Sequence, residues 1–140
     1  MKRWMAGLAL GALLAACAPA PSRGTPIAVR TVAVGEFRGF YGEEVRRGVI
    51  AGLEARGFVV SAAGADVRVT GRAVPFRDAS GRIRNRVQDC RAWVEHARSG
   101  QTLRAYEESG IGLYAPSYPM VQGCADHIVR EIAADFRPLR

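Results

Sequence analysis

Histidine is nearly absent from this 140-residue chain, with only His96 and His127, and cysteine is scarce, with Cys17, Cys90 and Cys124. Metal ions such as zinc take three or four N, S or O ligands at recognisable spacings, and adjacent Asp126 and His127 would diverge on a helix, so no metal and no cofactor is implied. No two cysteines stand in a Cys-x-x-Cys spacing, which removes the dithiol redox class. Ser61, Ser80, Ser99, Ser109 and Ser117 have no nucleophile-elbow motif around them, and neither histidine stands in a context that marks it as their base. Glu43 and Glu44 fit the first turn of a helix, where carboxylates are favoured, better than a catalytic pair. An enzyme is therefore not expected. No nucleic-acid fingerprint is present either. Lysine is reduced to Lys2, and every basic residue after Arg3 is arginine. Nor does any apolar run reach the length needed to span a bilayer; the longest, residues 4–16, is too short.

That run is the most informative stretch present. Lys2 and Arg3 precede it, and it ends in Leu14-Ala15-Ala16-Cys17. A short cationic start, an apolar segment and small residues before a single cysteine form a secretory pattern. Leu14 to Cys17 resembles the lipobox of bacterial lipoprotein signal peptides. The resemblance implies that the Cys17 thiol receives a diacylglycerol, that the chain is cut just before it, and that the new amino group is acylated. Two or three acyl chains make a stable anchor where one holds marginally. In such lipoproteins Asp straight after the cysteine often retains the protein at the inner membrane; Ala18 and Pro19 stand here, which in a host with two membranes implies the periplasmic face of the outer one. An ordinary secretory signal, or an uncut anchor, is the alternative that the residues leave open.

Three segments follow: residues 1–16 as signal peptide, 17–26 as the lipidated cysteine with a Pro-rich tether, and 27–140 as one domain. The 124 residues after the cut suit a single core. Their formal charge is +5, from 18 arginines against 13 acidic residues, which suggests an anionic neighbour.

Residues 27–37 are rich in Val, Ile and Thr and predict an interior strand. Residues 43–56 carry Val45, Val49 and Leu53 at helical spacing, with Gly48 and Gly52 beside that stripe. Each glycine costs about 1 kcal/mol relative to Ala, so close approach to the sheet is expected there. Gly57-Phe58 predicts a left-handed stop. Short strands follow at 58–62 and 66–74. A hairpin then turns near Asp78 to Gly81, with Arg72 opposite Arg86 and a bulge near Gln88 or Asp89 that restores the inward phase of Cys90, Ala92 and Val94. A second hairpin around Arg98 to Gln101 is expected to pair Glu95 with Arg104, Trp93 with Tyr106 and Arg91 with Glu108. Residues 121–136 form the last helix, with Cys124, Ile128 and Ile132 inward. The expected fold is a two-layer α+β domain, one mixed sheet of about five strands in the order β-α-β-β-β-β-α with both helices on one face.

The segments Val32-Ala-Val-Gly-Glu-Phe37, Leu53-Glu-Ala-Arg-Gly-Phe58, Ala65-Asp-Val-Arg-Val-Thr-Gly71 and Ser99-Gly-Gln-Thr-Leu103 are loosely similar to small envelope lipoproteins. Those are the curli-secretion type, the TolB N-terminal domain and the lipopolysaccharide-assembly type. The resemblance implies the architecture and an envelope setting, and it assigns no functional residue.

Two further groups are candidates. Cys90 and Cys124 both face inward and are open to a disulfide in an oxidising compartment, or to a life as two buried thiols. Arg68, Arg72, Arg82, Arg84 and Arg86 converge on one sheet face if the first hairpin forms as drawn. They are either an anion-binding site or the solvated outside of an arginine-rich hairpin. The expected role is a membrane-anchored, non-enzymatic structural or assembly component that contacts an envelope protein or anionic glycolipid. The alternative is a module binding lipopolysaccharide, lipid phosphate or peptidoglycan through those arginines.

Overall fold

The computed structural model describes residues 23–108 and 118–140. The signal segment, Cys17 and most of the tether lie outside them.

Residues expected to form one first strand make two, β1 (Ile27–Val29) and β2 (Thr31–Arg38). The break falls at Arg30, whose backbone N–H donates to the Asp66 carboxylate at 2.6 Å. In β2 the consecutive residues Val32, Ala33 and Val34 are all buried. Helix α1 (Gly42–Ala55) follows, with Val45, Val49 and Leu53 fully inside. It ends as the sequence predicts. Gly57 takes φ 86, its N–H donates to the Glu54 carbonyl and the Phe58 N–H to the Leu53 carbonyl, while Phe58 is buried. This paired closure satisfies carbonyls that the helix end leaves open.

The chain continues through β3 (Val59–Val60), β4 (Val67–Arg77), β5 (Ile83–His96) and β6 (Thr102–Glu108). The five-stranded sheet has the order β3-β2-β4-β5-β6, parallel across its first three strands and antiparallel across the rest. Helix α2 (Val121–Asp135) places Cys124, Ile128 and Ile132 in the same core as α1 and the inner sheet residues. The fold is thus α+β, a mixed sheet with two helices.

Four further expectations need correction. Helix α2 stops before Phe136, which turns extended and opens β7 (Phe136–Pro138); this strand pairs in parallel with β1 in a separate two-stranded sheet. Phe136 is nonetheless a core residue, which is why it mimics a helix stripe in sequence.

Secondly, Gly48 and Gly52 approach α2 and not the sheet. A Cβ on Gly48 would stand 2.8 Å from Ala125 Cβ, and one on Gly52 2.7 Å from Val129 Cγ2. The glycines give the two helices room to pack closely.

Thirdly, Arg72 faces Arg91 and not Arg86. Gln88 is an extra residue, since Val74 pairs with Asp89 and Pro75 with Val87, and further irregularity follows toward Arg77 and Ile83. The bulge is where the inward phase of Val87 and Cys90 demands it, and the slack beyond it carries Arg86 away from Arg72.

Lastly, the second hairpin slips by one residue. Ala92 pairs with Tyr106, Trp93 with Ala105 and Arg91 with Glu107, and a shift at Leu103 brings Glu95 opposite Thr102. Gly100 turns the chain at φ 71, its N–H donating to the His96 carbonyl. The slip sends Tyr106 into the core, where its hydroxyl donates to Asp135 Oδ2 at 2.7 Å. Burying a large aromatic side chain stabilises by roughly 1.5–3 kcal/mol, against about 0.2–1 kcal/mol for an exposed cross-strand pair. Burial therefore sets the register, and Trp93 is left without an aromatic neighbour across the strand.

Candidate functional site

The helices cover one face of the sheet and leave the other open. Alternation in β4 sends Val67, Val69, Gly71 and Ala73 inward and Arg68, Thr70 and Arg72 outward. In β5 the outward residues are Asp89, Arg91, Trp93 and Glu95. Across the strands, Arg68 pairs with Glu95, Thr70 with Trp93 and Arg72 with Arg91, while Arg38 of β2 aligns with Arg72. A concavity of about 360 Å³ lies over β4, lined by Glu36, Arg38, Arg68, Thr70, Arg72, Trp93 and Glu95.

A glycine opens this cleft. Gly35 lies beside Thr70, and a Cβ there would meet Thr70 Cγ2 at 3.2 Å and the stem of Arg68 at 3.6 Å. Gly71 underlies the cleft with Phe37 packed beneath it, its missing Cβ 2.2 Å from the Phe37 ring. Trp93 is half-buried, and its indole N–H makes no hydrogen bond among the described residues.

The electrostatics are uneven. Arg38, Arg72 and Arg91 form a row of like charges across three strands, which is destabilising unless compensated. Asp89 compensates in part, 3.4 Å from Arg72 and 2.8 Å from Arg91, and Glu107 lies 3.2 Å from Arg91. Among the described residues Arg38 has only Glu36, at 4.0 Å. Arg68 makes no ion pair or side-chain hydrogen bond among the described residues, although Glu95 is its neighbour in register.

The structure thus brings Arg68 and Arg72 together and separates them from Arg82, Arg84 and Arg86. Arg84 is paired at 2.6 Å with Asp78 at the hairpin tip, and Arg86 donates to the Tyr118 carbonyl at 2.6 Å. Arg82 lies in the turn, its backbone N–H on Asp78 Oδ1. Asp78 also accepts from the Ser80 hydroxyl and backbone. These donors, the Ser80 hydroxyl foremost, hold its carboxyl at about 2, below an ordinary 3.8, against the opposing effect of desolvation. Because the folded value is depressed, what Asp78 contributes to the tip is complete above the ordinary value and is lost as pH falls through about 2. An NMR titration of the Asp78 carboxyl should show its midpoint near 2; a midpoint near 4 would contradict the turn as described.

Arg38 and Trp93 join the cleft without having been singled out by sequence reasoning. The shared parity of Arg91, Trp93 and Glu95 with the outward face of β4 was a usable signal for Trp93. Arg38 had none, because the parallel pairing of β2 and β4 joins distant segments.

Cys90 and Cys124 are joined, their sulfurs 2.03 Å apart, and link β5 to α2 inside the core. At the other end of α2, Asp135 is buried and accepts from Tyr106, with Arg104 and Arg23 each 3.6 Å away. Burial first, and then this hydrogen bond, push the Tyr106 hydroxyl well above its ordinary range. Arg23 also pairs with Glu131, so the tether is tied to the domain at its last few residues.

Among the described residues no group of three His, Cys, Asp or Glu side chains could hold a metal ion, and no helix is long and apolar enough to cross a membrane. His96 Nδ1 accepts the Ser99 backbone N–H, at 3.4 Å, and no hydroxyl among the described residues. The arrangement is suited to holding a ligand by charge and by an aromatic surface. No family model, no curated protein and no solved structure matches the chain.

Proposed function

We propose that this protein is a lipid-anchored, non-enzymatic component of the bacterial cell envelope, attached through Cys17 to the periplasmic face of the outer membrane, and that it binds an anionic envelope component through the open face of its sheet. The anchor rests on Leu14-Ala15-Ala16-Cys17 behind a short apolar run. The binding role rests on one observation: Arg38, Arg68 and Arg72 line one cleft with fewer carboxylates than guanidinium groups, and Arg68 makes no ion pair among the described residues. Guanidinium forks suit carboxylate and phosphate because they donate in pairs with fixed geometry. From Cys17 to Arg23, which is tied to α2, an extended chain reaches about 20 Å. The domain is thereby held close to its own membrane.

The test uses the processed protein in detergent, titrated with lipopolysaccharide. Arg68→Gln with Arg72→Gln should weaken binding about tenfold, ~1.4 kcal/mol, and wild-type binding should fall as salt rises. Both proteins carry the same acyl chains, so the difference belongs to the guanidinium groups. Equal binding, or binding insensitive to salt, overturns the arginine site.

That outcome would favour a scaffold role, for which a different surface speaks. Pro119, Met120, Val121 and Gly123 line an apolar groove of about 510 Å³ beside Glu44 and Asn85, and Met120 is exposed. A scaffold role leads one to expect an apolar exposed patch near Tyr114 to Met120, of which residues 114–117 lie outside the described residues.

A further inference from the structure

We infer that the ligand of the cleft is an acidic saccharide, one ring stacked on the Trp93 indole and its charged groups held by Arg38, Arg68 and Arg72. This rests on the binding reading above and narrows it to one ligand chemistry.

The lining is mixed. Three arginines face two carboxylates, Glu36 and Glu95, so the cleft has only a small positive excess. A dense anion such as phosphate gains from the guanidinium groups but meets both carboxylates as like charges. A ligand with sparse charge and many hydroxyls satisfies both sets, since carboxylates accept from hydroxyl groups while the arginines take the acid groups.

The aromatic group points the same way. Trp93 stands between Thr70 on one strand and Ala105 on the other, and the slip of the second hairpin has withdrawn Tyr106 from it. Its indole is half-buried in the floor, with an N–H donor that makes no hydrogen bond among the described residues. Small residues to either side leave a shelf of Gly35, Thr70, Trp93 and Ala105 that runs about 14 Å across four strands. A flat ring with an apolar C–H face and polar edges fits such a shelf.

An acidic peptide fits it less well. Peptides bind sheets by pairing with free backbone groups at a strand edge. Here Arg68, Thr70, Arg72 and Trp93 at the centre of the cleft stand on β4 and β5, interior strands with a ladder partner on both sides, so at that centre only side chains are on offer.

The experiment is calorimetry on the full processed chain in detergent at constant ionic strength. The probes are trigalacturonate, the neutral tri-N-acetylchitotriose, inorganic phosphate and a hexaglutamate peptide. Trigalacturonate should bind most tightly. Trp93→Ala should weaken it at least tenfold, and Trp93→Phe, which keeps an aromatic face and controls for folding, should stay within about threefold of wild type. The inference is overturned if trigalacturonate does not bind, if phosphate, hexaglutamate or the neutral sugar binds as tightly, or if Trp93→Ala leaves binding unchanged. Should those results occur while lipopolysaccharide binding still depends on Arg68 and Arg72, the anion-binding reading stands and the saccharide inference alone falls.

Discussion

Replacing Cys90 and Cys124 together by alanine is expected to lower the unfolding free energy by about 4 kcal/mol and the melting temperature by roughly 15 °C. The bond closes a loop with a sequence separation of 34, and in the chain-entropy picture its main effect is to restrict the unfolded ensemble. Both sulfurs are buried, so the substitution also removes packed volume from the seam between β5 and α2. Thermal unfolding of wild type with and without reductant, beside the double variant, measures the effect. Alkylation of the denatured protein should label the two thiols only after reduction. A variant that melts within a few degrees of wild type, with equal labelling before and after reduction, would show that the bond does not form in the exported chain.

How far the sequence determined this structure depended on the range over which each signal acts. Helix α1 was legible because its stripe of Val45, Val49 and Leu53, its acidic first turn and its Gly57-Phe58 stop lie within one short segment and agree. The Gln88 bulge was legible for a related reason: Val87 and Cys90 are both inward and three residues apart, which strict alternation does not allow. The register of the second hairpin is not set by its complementary charges. Exposed pairs are worth too little to hold a register against the burial of Tyr106 on Asp135.

Long-range features left no local trace. Pairing of β7 with β1 joins the two ends of the domain, and Phe136 satisfies a helical and an extended pattern equally well. Gly48 and Gly52 announced a close contact without naming its partner, which is α2. The cleft was half visible. Arg68 and Arg72 share a face by strand parity, but Arg38 joins them only through the parallel pairing of β2 with β4, and Arg86 leaves them because of slack beyond the bulge.

The largest expected effect on the protein as a whole is at Cys17. Under the proposed anchoring, Cys17→Ser should leave residues 1–16 attached and the chain unacylated, because the thiol that would take the lipid is gone and, in the lipoproteins that Leu14 to Cys17 resembles, the chain is cut just before the lipid-bearing cysteine. Without acyl chains the protein loses the burial of some ~0.8 kcal/mol per methylene that makes a multiply acylated anchor stable. Membrane fractions of cells making the variant should then contain little or none of the processed form.

The most direct test of the account is therefore the mass of the amino-terminal peptide from the wild-type protein isolated from membranes. A peptide that begins at Cys17 and carries diacylglycerol is the predicted result. A peptide that begins elsewhere, or an unmodified Cys17 in a protein recovered in the soluble fraction, would contradict it.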